Sequence, residues 1–188
     1  MGMPSVSRND WTVAQLHALP EDGNRYEIIE GVLYVTPSPG VPHQRALGKL
    51  IGYLWPYAAT LGLEPMTSPA DIRFSDNTLV QPDLFVFSNP VQARAKVWAE
   101  ITLGLVLAIE VLSPRTTRRD RTVKRRLYQT QRIPEYWIVD STERVIERWR
   151  PDSTTAEVIS STLEWHPVAS GLPLHIDVVA YFRSVLDE

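Results

Sequence analysis

The sequence predicts an α/β protein of the α+β kind, a mixed sheet built in the order α-β-β-β-α-β, and three observations predict it. Residues 105–114, LVLAIEVLSP, make a continuous apolar run of the sort found in a strand covered on both faces, which puts a sheet at the centre. Apolar residues at 47, 50, 51, 54, 58 and 61 keep helical spacing, and RYEIIEG and VLYVTP alternate with period two. With 188 residues, 44% of them hydrophobic, the chain can bury the core of a single domain, 1–188.

Each element has a local reason. Thr12 and Gln15 have capping-box spacing and Trp11 with Leu16 the spacing of a hydrophobic staple, so a short helix starts here and ends near Pro20. RYEIIEG and VLYVTP form an N-terminal hairpin around Glu30-Gly31. The long helix follows SPGVP, with Pro42 near its start and Gly62 at its end, and Pro56 predicts a kink or break inside it. Three strands, 64–74, 79–87 and 105–113, then follow with no helix between them and are expected to run as an antiparallel meander. Thr117 and Asp120 resemble a capping pair for a second helix through about Arg132; Pro134 stops it, and EYWIVD is the next strand, with Tyr136 and Trp137 in the core. RVIERWR and AEVISS predict a C-terminal hairpin, and Asp177 caps a last amphipathic helix, VVAYFRSVL.

Composition narrows the function. There is no cysteine, which removes disulfides and thiolate metal sites and fits a reducing compartment; with no signal-like or membrane-spanning apolar stretch, a cytoplasmic location away from membranes is expected. The net charge of −3 gives no global attraction to a polyanion. Attraction is local, at Arg115, Arg118, Arg119, Arg121, Lys124, Arg125 and Arg126, with Asp120 the one acid among them.

The apolar run at 105–114 carries Glu110, and a carboxylate in a buried strand needs a partner. Asp83 in QPDL and Lys124 in RRDRTVKRRLY complete a chemically meaningful set. Two carboxylates on neighbouring strands suit Mg2+, which takes oxygen ligands together with water and phosphate oxygens. The cation would hold Glu110 ionised, Lys124 would position water or neutralise charge developing on phosphorus, and the arginines would hold a phosphate backbone.

These residues resemble a known family. A PD at the second strand and an E-V at the third look like the PD-(D/E)XK nuclease superfamily; RYEIIEG, TPSPGVPHQ, QPDLFVF, IEVLSPRTTRRDRTVKRRLY and IPEYWIVD in that order are similar to the Uma-two-type restriction endonucleases. The resemblance covers about residues 25–140. It implies a restriction-endonuclease-like core and a Mg2+-dependent endonuclease acting on DNA, with Mn2+ as a substitute, Asp83 and Glu110 as metal ligands and the Val111 carbonyl as a further one. It also implies supporting roles for Glu27, as an extra metal ligand, and His43, as a contact to phosphate or water. Phosphate contacts are expected from Arg115, Arg118, Arg119, Arg121 and Arg125. The superfamily's lysine two positions after the glutamate is replaced by Leu112, and Lys124 from the following helix takes its place, as in similar members of the narrower family.

Competing readings stay open on the sequence alone. Glu110 could pair with an arginine of 115–126, Lys124 could form an exposed i,i+4 pair with Asp120, and the basic segment could be a solvated face. A non-catalytic nucleic-acid-binding or assembly module is the alternative to the enzyme, and a purely structural salt-bridge cluster is the third reading. Cutting both strands of a duplex would call for two sites, hence a homodimer.

Overall fold

The computed structural model describes residues 10–88, 104–169 and 171–186. Helix α1 (Val13–Leu16) opens with the predicted capping box between Thr12 and Gln15. Strands β1 (Arg25–Ile29) and β2 (Val32–Thr36) form the predicted hairpin, and its two turn residues, Glu30 (φ 51°) and Gly31 (φ 79°), both adopt the left-handed conformation that two-residue hairpin turns require.

Helix α2 (Val41–Thr60) runs through Pro56 without the expected break. Leu47, Leu50, Leu54 and Ala58 bury one stripe of it, whereas Pro56 and Gly52, whose carbonyl loses its partner to the proline, lie on the exposed side within reach of water.

The two long strands predicted at 64–74 and 79–87 are each divided between sheets. β3 (Leu63–Thr67) and β6 (Leu84–Ser88) belong to a six-stranded sheet ordered β10-β9-β8-β7-β6-β3. β4 (Ile72–Ser75) and β5 (Thr78–Val80) belong to a four-stranded sheet ordered β2-β1-β5-β4. Pro69 and Pro82, which cannot donate to a ladder, stand at the two crossings. The antiparallel meander survives as β3-β6-β7, with β7 at Leu105–Val111.

Between β7 and the parallel strand β8 (Glu135–Asp140) the chain makes one helical crossover, α3: an α-turn at Thr117–Arg119, a π-turn at Asp120–Lys124 and an α-helix at Arg125–Thr130. The expected Thr117–Asp120 capping pair does not form; the N-cap is Thr116, and the Thr117 hydroxyl donates to the Ser113 carbonyl at 2.8 Å. β9 (Val145–Trp149) and β10 (Glu157–Ile159) make the predicted hairpin as an extension of the large sheet. β11 (Thr162–Trp165) pairs with β12 (Leu174–Asp177), and Asp177 accepts from the Ala180 N–H to cap α4 (Val178–Leu186).

The large sheet is covered on both sides. Leu107, Ile109 and Val111 of β7 with Leu84 and Val86 of β6 face α2, α4 and the β11–β12 hairpin. Ala108 with Phe85 and Phe87 face α3 and its Leu127 and Tyr128. Trp137 and Tyr136, both buried, take opposite faces of β8.

At the far end of β8, Asp140 accepts from the backbone N–H groups of Thr142 and Glu143 and from Arg121 at 2.7 Å. Burial alone would raise its pKa; the Glu143 N–H, the Arg121 guanidinium and the Thr142 N–H outweigh it and hold it below the usual value. Its ionised form therefore stabilises the fold above the unfolded pKa, and that contribution disappears as pH falls through the lower folded value. Asp140→Asn is expected to cost about 1–3 kcal/mol in urea denaturation at pH 7, and the difference from wild type should narrow as pH falls through the lowered folded-state value.

Candidate active site

Strand register brings the two predicted carboxylates to one face. Leu84 pairs with Ile109 and Phe85 with Ala108, so one further step places Asp83 opposite Glu110. Leu84 and Ile109 point to the α2 side, and side chains alternate along a strand, so Asp83 and Glu110 both point to the α3 side. Cross-strand neighbours on one face have Cβ atoms about 4.5–5.5 Å apart. Asp83 Oδ2 also accepts from the Val111 N–H at 2.8 Å, which ties the carboxylate to the partner strand. A residue in an extended strand turns its N–H and C=O the same way, so the Val111 carbonyl faces β6 as well.

Helix α3 returns the lysine. Thr116, Asp120, Lys124 and Tyr128 are buried at intervals of four, and the π-turn in the middle of this stripe carries Asp120 and Lys124. The Arg125 N–H reaches back to the Asp120 carbonyl, which also accepts from the Tyr136 hydroxyl at 3.1 Å. Lys124 Nζ, 0% exposed, lies 2.7 Å from Glu110 Oε1 and 2.7 Å from Glu27 Oε1. The exposed Asp120–Lys124 pair considered from sequence is thus replaced by a buried cluster, and the cation paired with Glu110 is this lysine rather than an arginine. Leu112, where the superfamily pattern has its lysine, packs on the same face.

Glu27 is buried within the cluster and His43 is half-buried beside it. Glu27, in β1, accepts from the Gln81 N–H at 2.8 Å where the chain crosses from the small sheet to the large one. Arg119 Nη2 stands 3.2 Å from Glu27 Oε2, without hydrogen-bond alignment. His43 Nε2, from the first turn of α2, contacts Asp83 Oδ2 at 2.9 Å, and its Nδ1 is buried without a partner. Arg25, which sequence reasoning missed, donates from Nη1 to Asp83 Oδ1 at 2.6 Å. A signal for it existed: Arg25 precedes Glu27 by two residues and so shares its face of β1.

Three arginines expected to touch phosphate have partners inside the molecule. Arg119 meets Glu27, donates to the Thr36 hydroxyl at 3.0 Å and lies 5.4 Å from the Tyr34 ring centroid. Arg121 bridges Asp140 and Glu147. Arg125 covers the Trp149 ring at 4.7 Å and donates to the Arg121 carbonyl and to Gln129. Arg115, Arg118 and Arg126 are exposed.

Electrostatically the cluster sets Glu27, Asp83, Glu110 and Asp120 against Arg25, Arg119 and Lys124. Burial would raise Asp83, but the His43 hydrogen bond and the Arg25 charge outweigh it and hold it far below the usual carboxylate range. Burial would likewise raise Glu27, which Lys124, Arg119 and Arg25 hold low. Burial drives Glu110 well above its ordinary value despite Lys124, with Asp83, Asp120 and Glu27 adding to the rise. Burial disfavours the Lys124 ammonium, yet Glu110, Glu27 and Asp120 keep it protonated. With Glu110 protonated, three carboxylates face three cations; ionising Glu110 leaves the cluster one positive charge short.

That deficit and the donor chemistry fit a hard divalent cation at Asp83 and Glu110. The available ligands are oxygens, and among the described residues no group of three or more His, Asp or Glu side chains is arranged to hold a metal. The protein would therefore supply two carboxylates, with the Val111 carbonyl as a third oxygen, and leave the remaining positions to water and substrate.

A mixed sheet with this strand order and crossover, presenting acidic residues from adjacent central strands, is a nuclease-like, restriction-endonuclease-like fold. The chain belongs to the Uma2 family, described as "Putative restriction endonuclease", whose model matches residues 13–178. The fold is similar to the crystal structure of a putative nuclease belonging to DUF820 from Anabaena variabilis, with a TM-score of 0.74 and 23% identity over 93% of this chain and 99% of that one. No curated protein matches the chain. Among the described residues no helix is long and apolar enough to cross a membrane.

Proposed function

We propose that this chain is a Mg2+-dependent endonuclease that hydrolyses phosphodiester bonds of DNA, with Mn2+ able to substitute. One observation carries the reading: Asp83 and Glu110 stand opposite each other on the face to which α3 returns the buried Lys124. A divalent cation bound by Asp83 and Glu110 would polarise the phosphate and lower the pKa of attacking water.

The chain's own residues prepare the rest. Arg25 and His43 hold the two Asp83 oxygens, fixing the carboxylate's orientation and keeping it ionised. Lys124 donates a hydrogen bond to Glu110 and forms an ion pair with Glu27, and in this reading a further ammonium donor orients water or meets charge on phosphorus. Burial excludes water that would weaken these interactions. Arg115 and Arg118 are exposed and bind backbone phosphates in this reading.

The test is cleavage of supercoiled plasmid and of single-stranded circular DNA with Mg2+ or Mn2+ and with EDTA. The enzyme reading predicts metal-dependent cutting that disappears in Asp83→Ala and Lys124→Ala. Binding without cutting by the folded wild type would transfer support to the non-catalytic module.

A further inference from the structure

Four cavities lie in succession past the site, each sharing lining residues with the next, and together they outline a trench. The first, about 260 Å³, lies between Glu30 and Arg126 and shares Tyr34 and Val123 with the second, about 450 Å³. The second shares Pro37 and Arg115 with the third, about 240 Å³. The third shares Arg25 and His43 with the last, about 700 Å³, which reaches Asp83. One wall is β2, an edge strand, with the Pro37–Gly40 loop; the other is residues 113–116 and the first half of α3.

We infer that this trench binds a single, unstacked polynucleotide strand, and that the substrate of the site is single-stranded or locally unpaired nucleic acid. The inference rests on the nuclease reading for its catalytic half only. The lining interleaves exposed Arg115, Arg118 and Arg126 with apolar surface from Val35, Pro37 and Val123. Cations that track phosphates, alternating with faces against which bases can lie, are what a single strand requires; a duplex hides its base faces in the stack.

Depth points the same way. Asp83, Glu110 and Lys124 are each at most 2% exposed. Of the three, Asp83 lines the fourth cavity, and a phosphodiester reaches it when its strand leaves the helical cylinder and dips into the trench, as for other enzymes whose target sits within a pocket. The two ends also differ in charge: the α3 end carries the three arginines, whereas Glu21 and Asp71 line the cavity beyond His43. Phosphate binding therefore concentrates on one side of the scissile bond. A single-strand substrate also removes the requirement for two sites related by a dimer axis.

The experiment is fluorescence anisotropy of wild-type protein in EDTA with a labelled mixed-sequence 12-mer oligodeoxynucleotide, the same sequence as a blunt duplex, and as an oligoribonucleotide. The inference predicts that at least one single strand binds about tenfold or more tightly than the duplex; comparison of the two single strands tells DNA from RNA. Arg115→Ala/Arg118→Ala should reduce the slope of log affinity against log salt by about 1.4, roughly 0.7 for each single-strand phosphate that the variant no longer neutralises. Val35→Asp should weaken binding several-fold. Duplex binding as tight as single-strand binding, or single-strand binding unmoved by these variants, overturns the inference. Preferential cutting of duplex DNA with Mg2+ would also overturn it while leaving the nuclease reading standing. Tight, arginine-dependent single-strand binding without cleavage by any metal would sink the nuclease reading and sustain the trench.

Discussion

Lys124→Met is expected to cost about 3–5 kcal/mol of folding stability, because it leaves Glu27 and Glu110 buried around an uncharged side chain. Against the roughly 5–15 kcal/mol typical of a whole domain, that brings the protein close to unfolding at 37 °C. A double variant separates architecture from chemistry. Lys124→Met/Glu110→Gln removes the carboxylate left without its cation, while Glu27 retains Arg119 nearby. It should recover much of the stability in urea denaturation and none of the phosphodiesterase activity. Recovery of both would show that the lysine serves the fold alone.

The second large effect is on rate. Asp83→Asn keeps the shape of the side chain and removes its charge, so the folded variant should lose roughly 10²–10³-fold in cleavage rate, the equivalent of several kcal/mol of transition-state stabilisation. Its stability should fall by only about 1–3 kcal/mol, the cost of replacing a charge-assisted hydrogen bond to Arg25 with a neutral one. Single-turnover cleavage beside a urea melt checks both numbers. A rate loss no greater than the unfolded fraction explains would remove Asp83 from the chemistry.

Period-two spacing located the N-terminal hairpin, helical spacing located α2 and a continuous apolar run located β7, because those patterns report which side chains face apolar neighbours. The same patterns did not show that 64–74 and 79–87 change sheets, since a strand's partner lies elsewhere in the chain. Pro69 and Pro82 were the available signal. Glu110 announced itself as an ionisable group inside an apolar run, and Asp83 lay within reach of it in a plausible strand order.

The basic segment was harder to read. Arginines in a row look exposed, because the acids that bury Arg119 and Arg121, namely Glu27, Asp140 and Glu147, come from distant strands. Lys124 did carry a local mark: it occupies a position in the 120, 124, 127 and 128 stripe where an amphipathic helix turns inward. The π-turn that brings Asp120 and Lys124 onto that stripe has no sequence signature of comparable strength, since tertiary packing stabilises it through the Tyr136 hydroxyl.

If the Asp83 and Glu110 carboxylates share one divalent ion, melting midpoints with and without Mg2+ will differ. A ligand bound only by the native state must raise the midpoint, by an amount equivalent to about 2.7 kcal/mol at a hundredfold excess over Kd. Wild type should show such a rise, and both Asp83→Asn and Glu110→Gln should lose it. An unchanged wild-type midpoint at saturating Mg2+, or a rise that persists in those variants, would contradict the shared ion.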